Sequence, residues 1–549
     1  LKSTREDRAL EAPEPREQSE HYGQAQPVRA RVVRLRDWLA PAVPEGRVWG
    51  WVLPLLVTAF AGFLRFDRLA VPNAVVFDET YYAKDSLALL EFGWEHNAVK
   101  DADRMLIEQG PNADIWGEGP AFIAHPPAGK WMIAVGEWLF QATPFGWRFM
   151  PALIGTLSVL ILCRVGRRMT GSTLLGCAAG FLLAVDGLAF VASRTALLDV
   201  FVMFWVLAAF ACLVIDRDVS RRRLADLVER DGATTPLGPF VMHWWRIPAG
   251  ICLGLACATK WTGLYYVAAF GIMVVLWDMG ARRAARIRNP YAGAVLLDGL
   301  PAFVLLVPLA GVVYLASWWG WIFRPGGWGR GPVADNPLLR PLEALPDLWN
   351  YHKEIFGFHN GLSTPHTYQS WPWDWPILRR PVAFYYTEPQ AGCDAGRCAK
   401  EILGIGTPAF WWGALIALSA LVVLWLVRRD WRAGAILAGY LAGWLPWFVP
   451  AFRDRTMFLF YATPMLPFMA LAVALALGLL IGPARPRPVS LAKNPQVVPS
   501  EQRRVVGAAV AGAYLLLVLV NFAYLYPVLA AKVIPFGDWD ARIWFDSWI

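Results

Sequence analysis

Two adjacent carboxylates, Asp78 and Glu79, follow the first long apolar stretch of the chain in the run Phe77-Asp78-Glu79-Thr80-Tyr81-Tyr82. Acidic groups at a membrane boundary are costly unless something pairs or uses them. Adjacent residues on a helix point in different directions, so one carboxylate can act as a base while the other holds structure. Asp78, at the start of a short helix expected over residues 79–92, is the better base candidate. Its competing reading is an N-cap carboxylate. A second signature is His125-Pro126-Pro127, where proline suits a first helical turn and His125 could meet a sugar or a phosphate. A rigid helix entry is the alternative there.

Cations mark the same side of the chain. Arg148 opens an apolar stretch, Arg194 and Asp199 bracket another, and Lys260 interrupts a third in Ala-Thr-Lys260-Trp261-Thr-Gly. Such cations could grip the phosphate of a lipid carrier. The alternatives are an Arg194–Asp199 ion pair and a Lys260 that snorkels. The segment His366 to Pro376, with Tyr368 and Trp371, is dense in aromatics that could stack on sugars, hold a peptide or anchor at a membrane interface. Arg453, Asp454 and Arg455 read as an ion-paired structural turn.

These residues must be positioned by membrane helices. The chain has 549 residues, 56% hydrophobic and 17% charged, with a mean hydropathy of +0.39. The apolar residues fall in continuous blocks long enough to cross ~30 Å of hydrocarbon as helices, without the alternation of a membrane barrel. The sequence therefore predicts an all-α polytopic membrane protein. About eleven spans are expected, near residues 49–66, 148–166, 173–191, 196–215, 247–260, 262–279, 295–317, 407–427, 433–451, 457–481 and 505–527. A net charge of +8 raises a nucleic-acid reading, which we reject because the basic residues cluster at the ends of apolar blocks. Those clusters alternate so that the N-terminus faces the cytoplasm and the C-terminus faces outward. About fifty largely polar residues precede the first block, so a cleavable leader is not expected.

The organisation that follows has a cytoplasmic, largely disordered tail over residues 1–48 and a catalytic transmembrane module over 49–317. An outer loop at 67–145 carries two interfacial helices, near 79–92 and 127–141. In the second, Trp131, Val135, Trp138 and Leu139 share one face, and Lys130 and Glu137 share another. A Trp- and Pro-rich outer loop covers 318–406, the C-terminal helices 407–527 and an outer tail 528–549; residues 483–499 read as a Pro-rich cytoplasmic linker. Cys393 and Cys398 lie in the second outer loop. Outside the cytoplasm they could close a disulfide. A metal site would need further ligands that are not nearby.

With these pieces in place, the chain resembles the protein O-mannosyltransferases, integral membrane glycosyltransferases of the type C fold, and within them the bacterial, particularly actinobacterial, members. The resemblance is carried in order by Phe77-Asp78-Glu79, His125-Pro126-Pro127 with Gly129-Lys130, Arg148 in Arg-Phe-Met-Pro, Ser193-Arg194 through Asp199, Lys260-Trp261-Thr-Gly263 and the His366-to-Pro376 segment. It implies transfer of mannose from a polyprenyl-phosphate donor to Ser or Thr of proteins leaving the cell, at the outer face of the cell membrane. It implies that Asp78 holds the catalytic acidic position with Glu79 beside it, and that Arg148 meets the donor phosphate; Lys260 and Arg194 are expected beside it there as cations of the same side. His125, Lys130, His366, Tyr368 and Trp371 are the expected substrate contacts. Eukaryotic members carry a β-trefoil domain in the loop corresponding to 318–406, and this loop is too short for one.

Expected partners are the lipid donor, Ser/Thr-containing polypeptides, membrane lipids and the secretion channel, with no nucleic acid. Phosphate is already a good leaving group, so no metal or other cofactor is required. Two other readings stay open: a type C enzyme with a lipid or glycan acceptor, and a lipid-linked sugar transporter. A transporter would place charges at mid-bilayer and show internal repeats; here the charges gather at the outer boundary.

Overall fold

A computed structural model describes residues 35–39, 46, 48–232, 235–482 and 500–549. The tail up to residue 34 and the expected linker 483–499 lie outside the described residues. The apolar blocks are helical because a backbone in hydrocarbon must satisfy its own hydrogen bonds. In chain order the main helices are α1 (Trp49–Phe66), α2 (Glu79–Glu91), α3 (Ala128–Phe140), α4 (Pro144–Thr170), α5 (Thr173–Ala184), α6 (Asp199–Asp231) and α7 (Arg246–Thr259). They continue as α8 (Gly263–Ala284), α9 (Pro290–Ser317), α10 (Arg340–Gly361), α11 (Pro408–Arg428), α12 (Trp431–Ala451), α13 (Leu459–Ile481) and α14 (Glu501–Leu529).

Nine of these, among the described residues, are long and apolar enough to cross a membrane; α5 and α7 are apolar but shorter. Each expected span coincides with one of the eleven helices, yet two fall short of spanning length. In the block near 173–191 the reason is Asp186. Its Oδ2 accepts from Ala189 N at 2.9 Å and its Oδ1 from Thr407 N at 3.0 Å and Trp411 Nε1 at 2.8 Å. A buried carboxylate used this way ends α5 and caps a separate short helix, Gly187–Ala192. The block around 247–279 is broken at Lys260, whose backbone is extended (φ −147°, ψ 144°) between α7 and α8.

The most enclosed helices are α6 and α13, with 72% of their apolar windows buried, against 17–22% for α1, α9 and α14. Leu, Val and Phe on the rim helices face outward, as a lipid-facing surface requires. Both short helices expected in the 67–145 loop form. Helix α3 exposes Val135, Trp138 and Leu139 and stacks Trp131 on Trp319 at 5.2 Å. It lies close on α4 because Gly136 has no side chain: a Cβ there would stand 2.3 Å from the Gly146 carbonyl oxygen. Strands β1 (His96–Ala98) and β2 (Trp116–Pro120) pair antiparallel in that loop.

The 318–406 loop folds into α10 and, with residues of the C-terminal tail, an antiparallel sheet of β3 (Val382–Thr387), β4 (Cys398–Gly404) and β5 (Ile534–Pro535). The C-terminal tail thereby joins the loop. Cys393 and Cys398 are disulfide-bonded where the chain turns from β3 to β4.

Candidate active site

The local backbone treats the two carboxylates differently. Asp78 occupies the N-cap position of α2 but its side chain makes no capping hydrogen bond. The N-cap reading of Asp78 is therefore not what the structure contains. Glu79 is fully buried. It accepts from Arg148 Nε and Nη2, each at 2.8 Å, from Val76 N at 2.9 Å and from Ala196 N at 3.1 Å. Four donors saturate it, so Glu79 ties the first outer loop to α4 and to the segment before α6.

Arg148 is equally committed. Its remaining donors reach the carbonyls of Leu69 (3.4 Å), Pro72 (2.9 Å) and Ala74 (2.8 Å). All its N–H groups are thus engaged within the protein. Arg194 is held by backbone carbonyls. Its Nη1 donates to the carbonyls of Leu64, Arg65 and Asp67 at 3.1, 2.8 and 2.6 Å, and its Nη2 to Arg68 at 3.2 Å. These are the orphan acceptors at the end of α1, where the helix dipole also favours a cation. Lys130 is buried against Glu95 and Asp85, the latter at 3.6 Å, and joins α3 to α2 instead of facing a substrate.

Asp199 pairs with Lys260 (Nζ–Oδ2 2.7 Å), not with Arg194. Lys260 Nζ also lies 5.3 Å from the Tyr461 ring centroid and 5.8 Å from that of Phe460. Around this pair opens a cavity of about 450 Å³, lined by His125, Asp199, Lys260, Trp261, Tyr265, His359, Arg455 and Tyr461 among others. That volume and its mix of rings with a few charges suit a small-molecule site. His125 stands 5.1 Å from His359, ring to ring, and 6.4 Å from Tyr82.

Asp78 lies within the electrostatic reach of Lys260 and Asp199. Burial lifts its carboxyl to about 6, Lys260 opposes the rise and Asp199 adds to it. A carboxylate tuned toward neutrality is suited to general-base work. Burial, with Lys260 and His359 beside it, holds His125 well below the usual imidazole range. Burial and Arg455 bring His359 to about 4. Both rings are neutral at pH 7 and can donate or accept without adding charge.

The backbone before Asp78 is strained. Phe77 has φ +49°, a left-handed conformation unfavourable for a bulky residue. Its ring is stacked on Phe384 of β3 at 4.9 Å and met edge-on by Phe460 at 5.7 Å and Phe458 at 6.3 Å. Strand β3 and the start of α13 thus hold the turn that presents Asp78.

His366, Tyr368 and Trp371 do not line the cavity. His366 packs on Phe458 at 5.0 Å, one ring removed from Phe77, Tyr368 lies under Arg380, and Trp371 stacks on Trp373. Sequence reasoning missed His359 and Arg455 as cavity residues. Arg455 was legible in one respect, as a cation at an expected outer turn; nothing local marks His359.

With the geometry placed, two family matches cover most of the chain. Residues 55–310 match the dolichyl-phosphate-mannose-protein mannosyltransferases, and residues 344–548 match the C-terminal four-transmembrane region of protein O-mannosyltransferases. A polyprenol-phosphate-mannose–protein mannosyltransferase of Mycolicibacterium smegmatis is 40% identical over 92% of this chain and 94% of its own length. The enzymes of the same name from Mycobacterium tuberculosis (92% of this chain, 93% of its own) and Corynebacterium glutamicum (93% and 96%) are 39% and 33% identical. The fold is shared with the S. cerevisiae protein O-mannosyltransferase Pmt1-Pmt2 complex bound to the sugar donor, at a TM-score of 0.69, 14% identity and 94% coverage of both chains.

Proposed function

We propose that this chain, which belongs to the protein O-mannosyltransferase family of membrane glycosyltransferases, moves mannose from polyprenyl-phosphate mannose to Ser or Thr hydroxyls with inversion, at the extracytoplasmic face. Asp78 accepts the proton of the acceptor hydroxyl as its oxygen attacks the anomeric carbon. The bond from that carbon to the phosphate oxygen breaks on the opposite side of the sugar, and the lipid phosphate leaves with the electron pair. A nearby carboxylate also eases positive charge building on the ring. Lys260, with ammonium donors beyond the one on Asp199, offsets the charge gathering on the phosphate. A phosphate leaves readily, so the reading needs no metal, and chelators are expected to leave the rate unchanged.

The observation that carries this reading is the contrast between the two carboxylates: Glu79 saturated by four donors, and Asp78 free of capping duty, raised toward neutrality and beside the Lys260–Asp199 pair. The outward orientation draws support from the basic clusters on the opposite ends of the helices and from the Cys393–Cys398 disulfide, a bond favoured outside the cytoplasm. Acceptors would be met as extended polypeptides, as they are when they emerge from a secretion channel. The test is a transfer assay with radiolabelled polyprenyl-phosphate mannose and a Thr-rich peptide. Asp78→Ala should lower the rate by roughly 10²–10⁴ while remaining folded in the membrane. Transfer at the wild-type rate by that variant removes Asp78 from the mechanism.

A further inference from the structure

Arg455 differs from Arg148 and Arg194 in what its donors meet. Arg148 and Arg194 are bound up with a carboxylate or with helix-end carbonyls. Arg455 instead lines the cavity, and its Nη1 is buried without any hydrogen-bond partner. A buried unpaired guanidinium nitrogen costs free energy unless something fills the place.

The rest of its fork is held rigidly. Nε donates to the His359 carbonyl at 3.0 Å, and Nη2 lies 3.3 Å from His359 Nδ1. His359 Nε2 lies 2.8 Å from the Ala124 carbonyl, which can only accept. The proton is therefore on Nε2, and Nδ1 offers a lone pair to the guanidinium. Trp447 and Tyr461 stand 5.6 and 5.8 Å from its Cζ. A planar fork fixed on one side and open on the other is the geometry that takes a phosphate. The cavity wall continues into Leu264 and Val449, which are 54% and 60% exposed on apolar helices. An anion bound here can carry an apolar tail out toward lipid.

We propose that Arg455, braced by His359 from α10, binds the phosphate of the polyprenyl carrier in the cavity that Lys260 also lines. This deepens the donor reading above and rests on it for the sugar only. His359 is a positioning residue that acts through Arg455.

The experiment measures binding of sugar-free polyprenyl phosphate to the purified full chain in detergent, by quenching of tryptophan fluorescence, alongside the transfer assay. Arg455→Gln should weaken binding and raise the donor KM by roughly tenfold to a hundredfold, with the acceptor KM unchanged. Arg455→Lys should recover part of the loss. His359→Phe should weaken binding less, and His359→Asn, which keeps an acceptor near Nδ1, should restore it. Folding is checked by elution profile and melting temperature, and the His359 pair reads the proposal if Arg455→Gln proves unstable. A folded Arg455→Gln protein, or a His359→Phe protein, that binds polyprenyl phosphate as tightly as wild type overturns it. Displacement by inorganic phosphate at equal concentration overturns the lipid-tail part. Arg455-dependent binding in a wild-type protein that transfers no mannose keeps the phosphate grip and removes the mannosyl reading.

Discussion

At the scale of single residues, Asp78 carries a cost that the proposed base role accounts for. Its carboxyl titrates near 6 in the fold against 3.8 for the free group. A folded pKa raised above the unfolded one means that the native state binds more protons between those values. Stability therefore falls as pH rises from about 4 to about 6, by an amount on the order of 1–3 kcal/mol. Asp78→Asn removes the ionisable group. We expect this variant to melt at a higher temperature than wild type at pH 7–8, with the difference vanishing below pH 4, while transfer is lost. The wild-type rate should fall as pH drops through about 6. An Asp78→Asn protein that melts lower than wild type at pH 7.5 would show that the ionised group stabilises the fold instead. Glu79, one position on, belongs to the framework: it is fully buried and bidentate to Arg148.

At the scale of elements, the turn before Asp78 is set from outside its own loop. Phe77 cannot hold φ +49° cheaply by itself. The ring of Phe384 on β3 and the rings at the start of α13 supply the constraint. Phe384→Ala removes the stacked partner and leaves Phe77, Asp78 and the cavity lining in place. The turn should relax and kcat should fall roughly tenfold, since small misplacements of a base are expensive, while polyprenyl-phosphate binding stays within experimental error. Wild-type kcat in Phe384→Ala would refute the clamp. This dependence gives the sheet of β3, β4 and β5 a task beyond covering one end of the bundle.

At the scale of the whole molecule, charge is gathered at two ends. Helix α6 starts at Asp199 in the cavity wall, and Asp216 lies about 25 Å further along it at 1.5 Å per residue. There His243 Nδ1 meets Asp216 at 2.7 Å, Arg246 meets Asp216 at 3.1 Å and Asp278 at 2.5 Å, and Arg282 meets Asp298 at 2.5 Å. Arg282 also donates to the carbonyls of Leu237 and Pro239, so the network clasps the 235–245 loop to α7, α8 and α9. Burial alone would lower the His243 pKa; hydrogen bonds to Asp216 and Asp298 outweigh it and lift the group to about 9. A base raised in the fold stabilises fully below its unfolded pKa near 6.5 and loses that contribution as pH rises through 9. We expect the wild-type melting temperature to decline between pH 7 and 10. His243→Gln should start lower at pH 7 and lack that decline. A flat wild-type profile over the range would exclude a charged His243.

The sequence by itself determined the class of the fold, the placement of its helical blocks and the position of the Asp78–Glu79 pair. Hydropathy and helix length are local properties, and a bilayer reads them locally. It could not determine which charged group answers which. Arg148 finds Glu79 across 69 positions, Lys260 finds Asp199 across 61, and Arg455 finds His359 across 96. A cation at an outer helix end looks the same on paper whether it caps carbonyls, as Arg194 does, or borders a cavity, as Lys260 and Arg455 do. Only packing decides, because the donors of a guanidinium are few and each is assigned by the atoms that happen to lie against it.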